Sequence, residues 1–599
     1  MDIVYFCFAS GKKRQLFLSS NHQLQLLTSM AAAAAAVGTI VLCMCLGGIW
    51  VTTSWLQIKR RRAAAAASRK NRRPHTTMFA ADGLCEQGPR VWPVLGASLE
   101  QLAYFPVMHD WLLHHFQRRR TFRVPMPTCT YTYTIDPANI EHILKTNFSN
   151  YPKGKTYHNI MEVLLGDGIF NSDGENWRKQ RKTASHEFNR KTLSDFSAVV
   201  FRDYALKLAQ ILHQRHTSNP LLVSDMQELF MRLTLDSICK IGFGVELQSL
   251  TPSLPDNPFA RAFDATNAGV TLRFIDPLWR LKRLLGIASE ARLAKSVKLV
   301  NEFTYKVIST RRSELAALQL QSAAAHEADN HNRSPPRVDL LSRFITLTES
   351  DPEHLQDRQH CDQMLRDMVL NFVIAGRDTT AVTLSWFIYM MCMHPDVADE
   401  IYHELCQLQQ STSTNSASPH EDHQNFFEEE MTRFAQGLTF ETVSKLTFLT
   451  AAITETVRLY PAVPQDPKGI LADDVLPDGT VLKKGSLVTY VPYSMARMTW
   501  LWGDDAAQFR PRRWITPDGS IRKESDFKFT AFQAGYRLCL GKESAFLQMR
   551  ITAALLCRFF RFHLQRPGHT VTYRMMAILA IDNGLPITVE LRPPQQQQQ

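Results

Sequence analysis

"FQAGYRLCLG", residues 532–541, holds one of the chain's eleven cysteines, Cys539, and fences it as the other ten are not fenced. The others fall without regular spacing or a CxxC pair, which argues against a disulfide framework or a structural zinc site. Such cysteines read as small buried hydrophobes. Cys539 has different neighbours. A thiolate needs stabilisation from loop N–H groups and nearby positive charge, and Arg537 stands two residues before it. Gly535 and Gly541 allow tight backbone turns. The pattern F-x-x-G-x-R-x-C-x-G arises by chance in about one chain in ten thousand of this length.

These neighbours suit an iron–thiolate site built against a flat cofactor. The glycines let the backbone come close, Arg537 can reach a propionate, and Phe532 can pack near the sulfur. Four further segments lie upstream. "WRKQR" (177–181) sets Trp177 and Arg181 at i, i+4; alone, they could be a helix-surface stack. "AGRDTT" (375–380) interrupts a long apolar run with Asp378 and Thr379, and Gly376 would permit a local opening there. Alone, Thr379 could back-bond to a carbonyl one turn earlier. "ETVR" (455–458) spaces Glu455 and Arg458 as a helical ion pair, and "FRPRRW" (509–514) adds Arg513.

In this order the segments resemble the motifs of the cytochromes P-450, the haem-thiolate monooxygenases, over residues 88 to 593. The resemblance implies that Cys539 is the axial ligand of the iron of haem b, within a cofactor-binding set of Trp177, Arg181, Phe532, Gly535, Arg537, Cys539 and Gly541. Trp177 and Arg181 would bind haem propionates. Glu455, Arg458 and Arg513 would form a structural triad with no part in catalysis. Electron donation from the sulfur favours O–O cleavage, which also needs protons. Asp378 would relay them from solvent and Thr379 would hold the oxygen being activated. Plant members often carry Pro where Tyr536 stands, which bears on the rigidity of the loop.

Residues 136–154, 375–387, 458–469, 488–498 and 532–535 are similar to a plant clan of fatty-acid hydroxylases, nearest its long-chain branch that serves lipid polymers of walls. The implied reaction is hydroxylation of a long-chain fatty acid at its terminal carbon with O2 and electrons from NADPH through a membrane reductase. In-chain hydroxylation, epoxidation or another lipid substrate is the alternative, and a non-enzymatic haem or lipid-binding protein the third reading. Residues 159–172 and 462–469 are expected to line the pocket.

Of the net charge of +11, +10 lies in residues 1–80, so the basicity gives no reason to expect a nucleic-acid partner. Residues 31–50 carry no charge, and about 20 residues span one bilayer core of about 30 Å. Eight Lys/Arg follow between Lys59 and Arg73, against three before, which predicts a cytosolic C-terminal mass. The reading is therefore an extension at 1–30, a transmembrane anchor at 31–58, a basic linker at 59–87, a haem domain at 88–593 and a Gln-rich tail at 594–599. That is a single-pass protein of the endoplasmic reticulum membrane, in contact with its lipid. The acid-poor, serine-bearing 1–30 keeps a plastid transit peptide as the alternative.

The fold class expected is mainly α with small β sheets. Long helices are expected over 363–396, ended by Pro395, and over 448–461; strand character is expected over 121–136. The polar stretches 320–337 and 409–430 read as exposed insertions.

Overall fold

In the computed structural model the described residues are 89–592, apart from 128, 255, 327–338, 350–357, 413–422 and 569. The expected extension, anchor, linker and tail therefore lie outside the described residues. Among the described residues no helix is long and apolar enough to cross a membrane.

Eight helices matter for the site: α1 Gly154–Leu165, α2 Gly174–Ser185, α3 Met226–Phe243, α4 Pro258–Leu272, α5 Arg358–Val373, α6 Thr379–Met393, α7 Thr447–Leu459 and α8 Lys542–Phe559. Their ends follow local chemistry. Asp225 caps α3 by accepting from the N–H groups of Gln227 and Glu228, and Gly244 closes it in the left-handed region. Asn257 caps α4, with Pro258 at its first position.

The apolar run 363–396 becomes one central rod. α5 and α6 are joined by a single π turn, Ile374–Asp378, at the "AGRD" interruption. α6 is buried without a break from Thr380 to Met391, as expected of a helix apolar on all faces. Pro395 ends the rod and opens the next helix, Pro395–Thr412. Glycine is needed at 376 for packing, because a Cβ there would lie 2.6 Å from the Ile238 side chain on α3.

The strands make three small sheets. β1 Thr121–Pro125 and β2 Thr130–Thr134 pair antiparallel within the stretch expected to have strand character. With β3 Asp466–Gly469 and β4 Leu487–Tyr490 they make a sheet in the order β1-β2-β4-β3. β2 and β4 run parallel and β3 antiparallel to β4, in a register that sets Asp466 opposite Tyr490. The second sheet joins Ser224–Asp225, Phe560–Leu564 and Pro586–Leu591; a two-stranded ladder, Asp474–Val475 with Val481–Leu482, is the third.

The expected insertions need correction. The helix Ala288–His326 runs through the start of 320–337. The 409–430 stretch is helical at both ends, in Pro395–Thr412 and His423–Gly437. Phe427 is buried with its ring 5.5 Å from Phe559, and buried Glu430 accepts from Arg558 at 2.8 Å. One aromatic anchor and one buried ion pair supply the burial that average polarity concealed.

Candidate active site

One large cavity collects the cysteine loop, α2, the π turn and the β3–β4 wall. The space it opens, about 1860 Å³ with the solvent at its mouth counted in, reaches from the cysteine loop to the π turn. Trp177, Arg181, Thr379, Phe532, Arg537, Cys539 and Gly541 all line it. Gly535 and Asp378 do not, and the triad Glu455, Arg458 and Arg513 also stands apart. From the expected pocket segments, Ile169, Phe170, Ala462 and Val463 contribute apolar wall.

The loop is closed by its own backbone. Cys539 N donates to Phe532 O at 2.9 Å and Leu538 N to Gly535 O at 3.2 Å. Gly535 has φ +59°, and a Cβ there would sit 2.2 Å from Leu144 O, so only glycine fits. Gly541 lies in a turn with φ −87°, outside the left-handed region. It serves as the N-cap of α8 and puts that helix's positive end beside the sulfur. Burial pushes the Cys539 thiol up, opposed by the Gly541 N–H and by the charges of Arg181 and Lys542. Tyr536 sits in the tight turn Gly535–Arg537 with its ring 5.1 Å from Phe148.

Two arginines fasten the loop to the helix that faces it. Arg181 Nη2 donates to Leu538 O at 2.7 Å. Arg537 Nη2 donates to Asp173 Oδ1 at 2.6 Å and to Ser172 O at 3.2 Å. Both lie over the Trp177 ring, at 5.7 and 4.7 Å, so the helix-surface stack and the cavity wall are the same residues. Phe532 packs on Phe546 at 5.3 Å.

Across the cavity, Thr379 Oγ1 donates to Ala375 O at 2.7 Å. The bond is the back-bond to the preceding turn, and the hydroxyl oxygen keeps its acceptor capacity toward the cavity. Asp378 points elsewhere. It is fully buried and accepts from Arg377 Nη1 at 2.7 Å, while its Oδ2 has no partner. Burial raises its carboxyl to about 7, with Arg377 opposing and Asp264 reinforcing the rise.

Sequence reasoning missed a charged cluster in the same wall. Asp466 on β3 accepts from Lys153 Nζ at 2.6 Å, Lys468 Nζ at 2.7 Å and Tyr490 Oη at 2.8 Å. All four side chains line the cavity and are buried. Burial works against the Asp466 charge, but the two lysines outweigh it and hold the carboxyl below its ordinary range. The only trace in sequence was "QDPKG", whose period-two spacing sends Asp466 and Lys468 to one face.

The triad is a buried node. Glu455 accepts from Arg458 Nε and Nη2 and Arg513 Nε at 2.8 Å, and from Trp514 Nε1 and Arg510 N at 2.9 Å.

The cytochrome P450 family model matches residues 87–584. The chain belongs to the cytochrome P450 family. It is accordingly a monooxygenase, and membership implies a haem-thiolate iron cofactor. Cytochrome P450 704B1 of Arabidopsis thaliana is 56% identical over 511 residues, which cover 85% of this chain and 95% of that protein. Cytochrome P450 704C1 of Pinus taeda is 46% identical over 506 residues, 84% of this chain and 92% of its own. Cytochrome P450 86B1 of Arabidopsis thaliana is 38% identical over 522 residues, with coverages of 84% and 86%. These plant P450s bear out the recognition made from the motifs.

Proposed function

We propose that this P450 is a membrane-anchored hydroxylase of long-chain fatty acids, acting at the terminal carbon with O2 and electrons passed from NADPH by a flavoprotein reductase. The observation that carries the reading is one shared cavity, where Cys539 and Thr379 face an apolar space walled by Ile169, Phe170, Phe201, Ile238 and Val463. Such walls suit a hydrocarbon chain better than a polar substrate. The resemblance to plant fatty-acid hydroxylases supports the substrate class.

The residues present fit haem. Arg537 Nε and Gln548 Nε2, on cavity-lining residues, are buried donors without a partner, which a carboxylate could satisfy. Trp177, Arg181 and Arg537 would hold the propionates, with Lys153 and Lys468 offering two further cations, and Cys539 would take the iron. Haem-thiolate supplies oxygen activation and insertion of one oxygen atom. The chain's part is to exclude water from the apolar wall, to hold the substrate, and to keep Thr379 placed to accept and pass a proton at Oγ1.

The test is product analysis. Microsomes carrying the full chain and a reductase should turn fatty acids of several lengths into ω-hydroxy acids, NADPH-dependently. Thr379→Ala should retain haem and substrate binding yet lower product per NADPH by about tenfold, the electrons appearing as peroxide. Turnover confined to in-chain positions would overturn the regiochemistry, and undiminished coupling in the variant would overturn the role of Thr379.

The apolar stretch at 31–50 and the basic residues after it support an endoplasmic reticulum anchor with a cytosolic haem domain, over the plastid alternative. The proposed division is the extension 1–30, anchor 31–58, linker 59–87, haem domain 88–593 and tail 594–599. Two sequons report orientation, Asn147-Phe148-Ser149 and Asn332-Arg333-Ser334. Asn147 donates to Asp474 at 2.9 Å, so the second, outside the described residues, is the informative one. Expression in eukaryotic cells should give no glycosidase-sensitive mass shift; sugar on Asn332 would reverse the topology.

A further inference from the structure

A second cavity, polar and sharing no lining residue with the first, meets the central rod at Arg377. Its walls carry Asp225, Glu228, Arg232, Asp256, Arg261 and Arg574, together with Asp264 from α4. Arg377 lines this cavity and pairs with the buried acid, and Asp264 is the cavity's own carboxylate on the same guanidinium. Arg377 Nη1 donates to Asp264 Oδ1 at 3.1 Å and to Asp378 Oδ1 at 2.7 Å. The Asp264 side chain is 33% exposed and Asp378 is 0% exposed, so one guanidinium bridges a wet carboxylate and a dry one.

We propose that Asp264 governs proton entry to the catalytic cavity from this second cavity, by competing with Asp378 for the Arg377 guanidinium. The inference rests on the proposed role of Asp378 and Thr379 and names a positioning residue for it.

Arginine cannot pass a proton itself, since it stays charged at any working pH. It can act as a movable counter-charge. When the guanidinium leans toward Asp264, Asp378 loses its compensation in a dry site and takes up a proton. Three buried atoms there are without a hydrogen-bond partner, Arg377 Nε, Asp378 Oδ2 and Asn267 Nδ2, so the arrangement has unused capacity for a passing water. Asp378 meets two charged groups, Arg377 on its own element and Asp264 on α4, and its raised proton affinity agrees with this geometry. The steps balance without electrons. An O–H bond of a hydronium ion in the polar cavity breaks as a carboxyl O–H forms on Asp378. That O–H then breaks as an O–H forms on Thr379 Oγ1, which gives up its own proton into the catalytic cavity, while Arg377 returns and both carboxylates end as they began.

Infrared titration of the full-length holoenzyme, with the Asp378 carboxyl band assigned by its loss in Asp378→Asn, reads the coupling directly. In Asp264→Asn the guanidinium has one acid left and a like charge is gone, so the Asp378 midpoint should fall by about one pH unit or more. Product per NADPH should fall about threefold or more, with a larger solvent isotope effect and an unchanged haem content. Asp264→Glu should restore both. An unchanged midpoint, or a shifted midpoint with wild-type coupling, overturns the proposal. Wild-type coupling in Asp378→Asn would instead refute the acid–alcohol reading beneath it.

Discussion

Cys539→Ala should fold and yet lose completely the absorption band that thiolate-ligated haem gives when reduced and bound to carbon monoxide. The folding half of this expectation follows from how the loop is held. Its closure uses backbone groups, Cys539 N to Phe532 O and Leu538 N to Gly535 O, and its attachment uses Arg181 and Arg537. None of these needs the sulfur. Alanine also keeps the Cβ and removes one atom beside an existing cavity, which adds little new void. The spectral half follows from ligand supply. Among the described residues no other cysteine lines the cavity, so no second thiolate can reach iron held there. Hydroxylation should vanish with the band. A band that survives the substitution would place the iron on another ligand, and an unfolded variant would show that the sulfur does more for the loop than its bonds suggest.

What could be read from the sequence was what lies close together along it. The cysteine loop, the Trp177–Arg181 helix and the Glu455–Arg458 pair each occupy a few consecutive residues, so spacing alone exposes their chemistry. The central rod was legible as well, since an apolar run that long has few other places to go. Less visible was what the fold gathers from afar. Lys153 and Asp466 are separated by more than three hundred residues, and they meet because the β3–β4 register turns Asp466 and Tyr490 toward the same wall. Asp264 carries no local mark at all; α4 brings it to Arg377 across 113 residues. The polar stretch 409–430 misled for a related reason. Average composition hides a single phenylalanine and a single glutamate that have found buried partners.

Glu455→Ala should be the most destabilising single change among the motif residues, although Glu455 touches neither cavity. Its carboxylate is wholly buried and accepts five hydrogen bonds, three of them from arginines 458 and 513. Those bonds join α7 to the 509–514 segment. Alanine leaves the Arg458 guanidinium, 1% exposed, with carbonyl partners but no counter-charge. Breaking a buried pair from one side costs about 3–5 kcal/mol, against a whole-domain stability of about 5–15 kcal/mol. The two vacated donors on Trp514 and Arg510 add to the loss. Glu455→Gln should fall between, because it keeps the volume and one acceptor oxygen while removing the charge. Asp473→Ala is the control: its pair with Lys483 is exposed on both sides, 56% and 70%, and solvent already screens it. The expected order in thermal denaturation, and in yield of holoprotein measured by the thiolate band, is wild type equal to Asp473→Ala, then Glu455→Gln, with Glu455→Ala nearly absent. Wild-type melting of Glu455→Ala would show that the surrounding carbonyls hold Arg458 without its acid, and that the triad is dispensable to the fold.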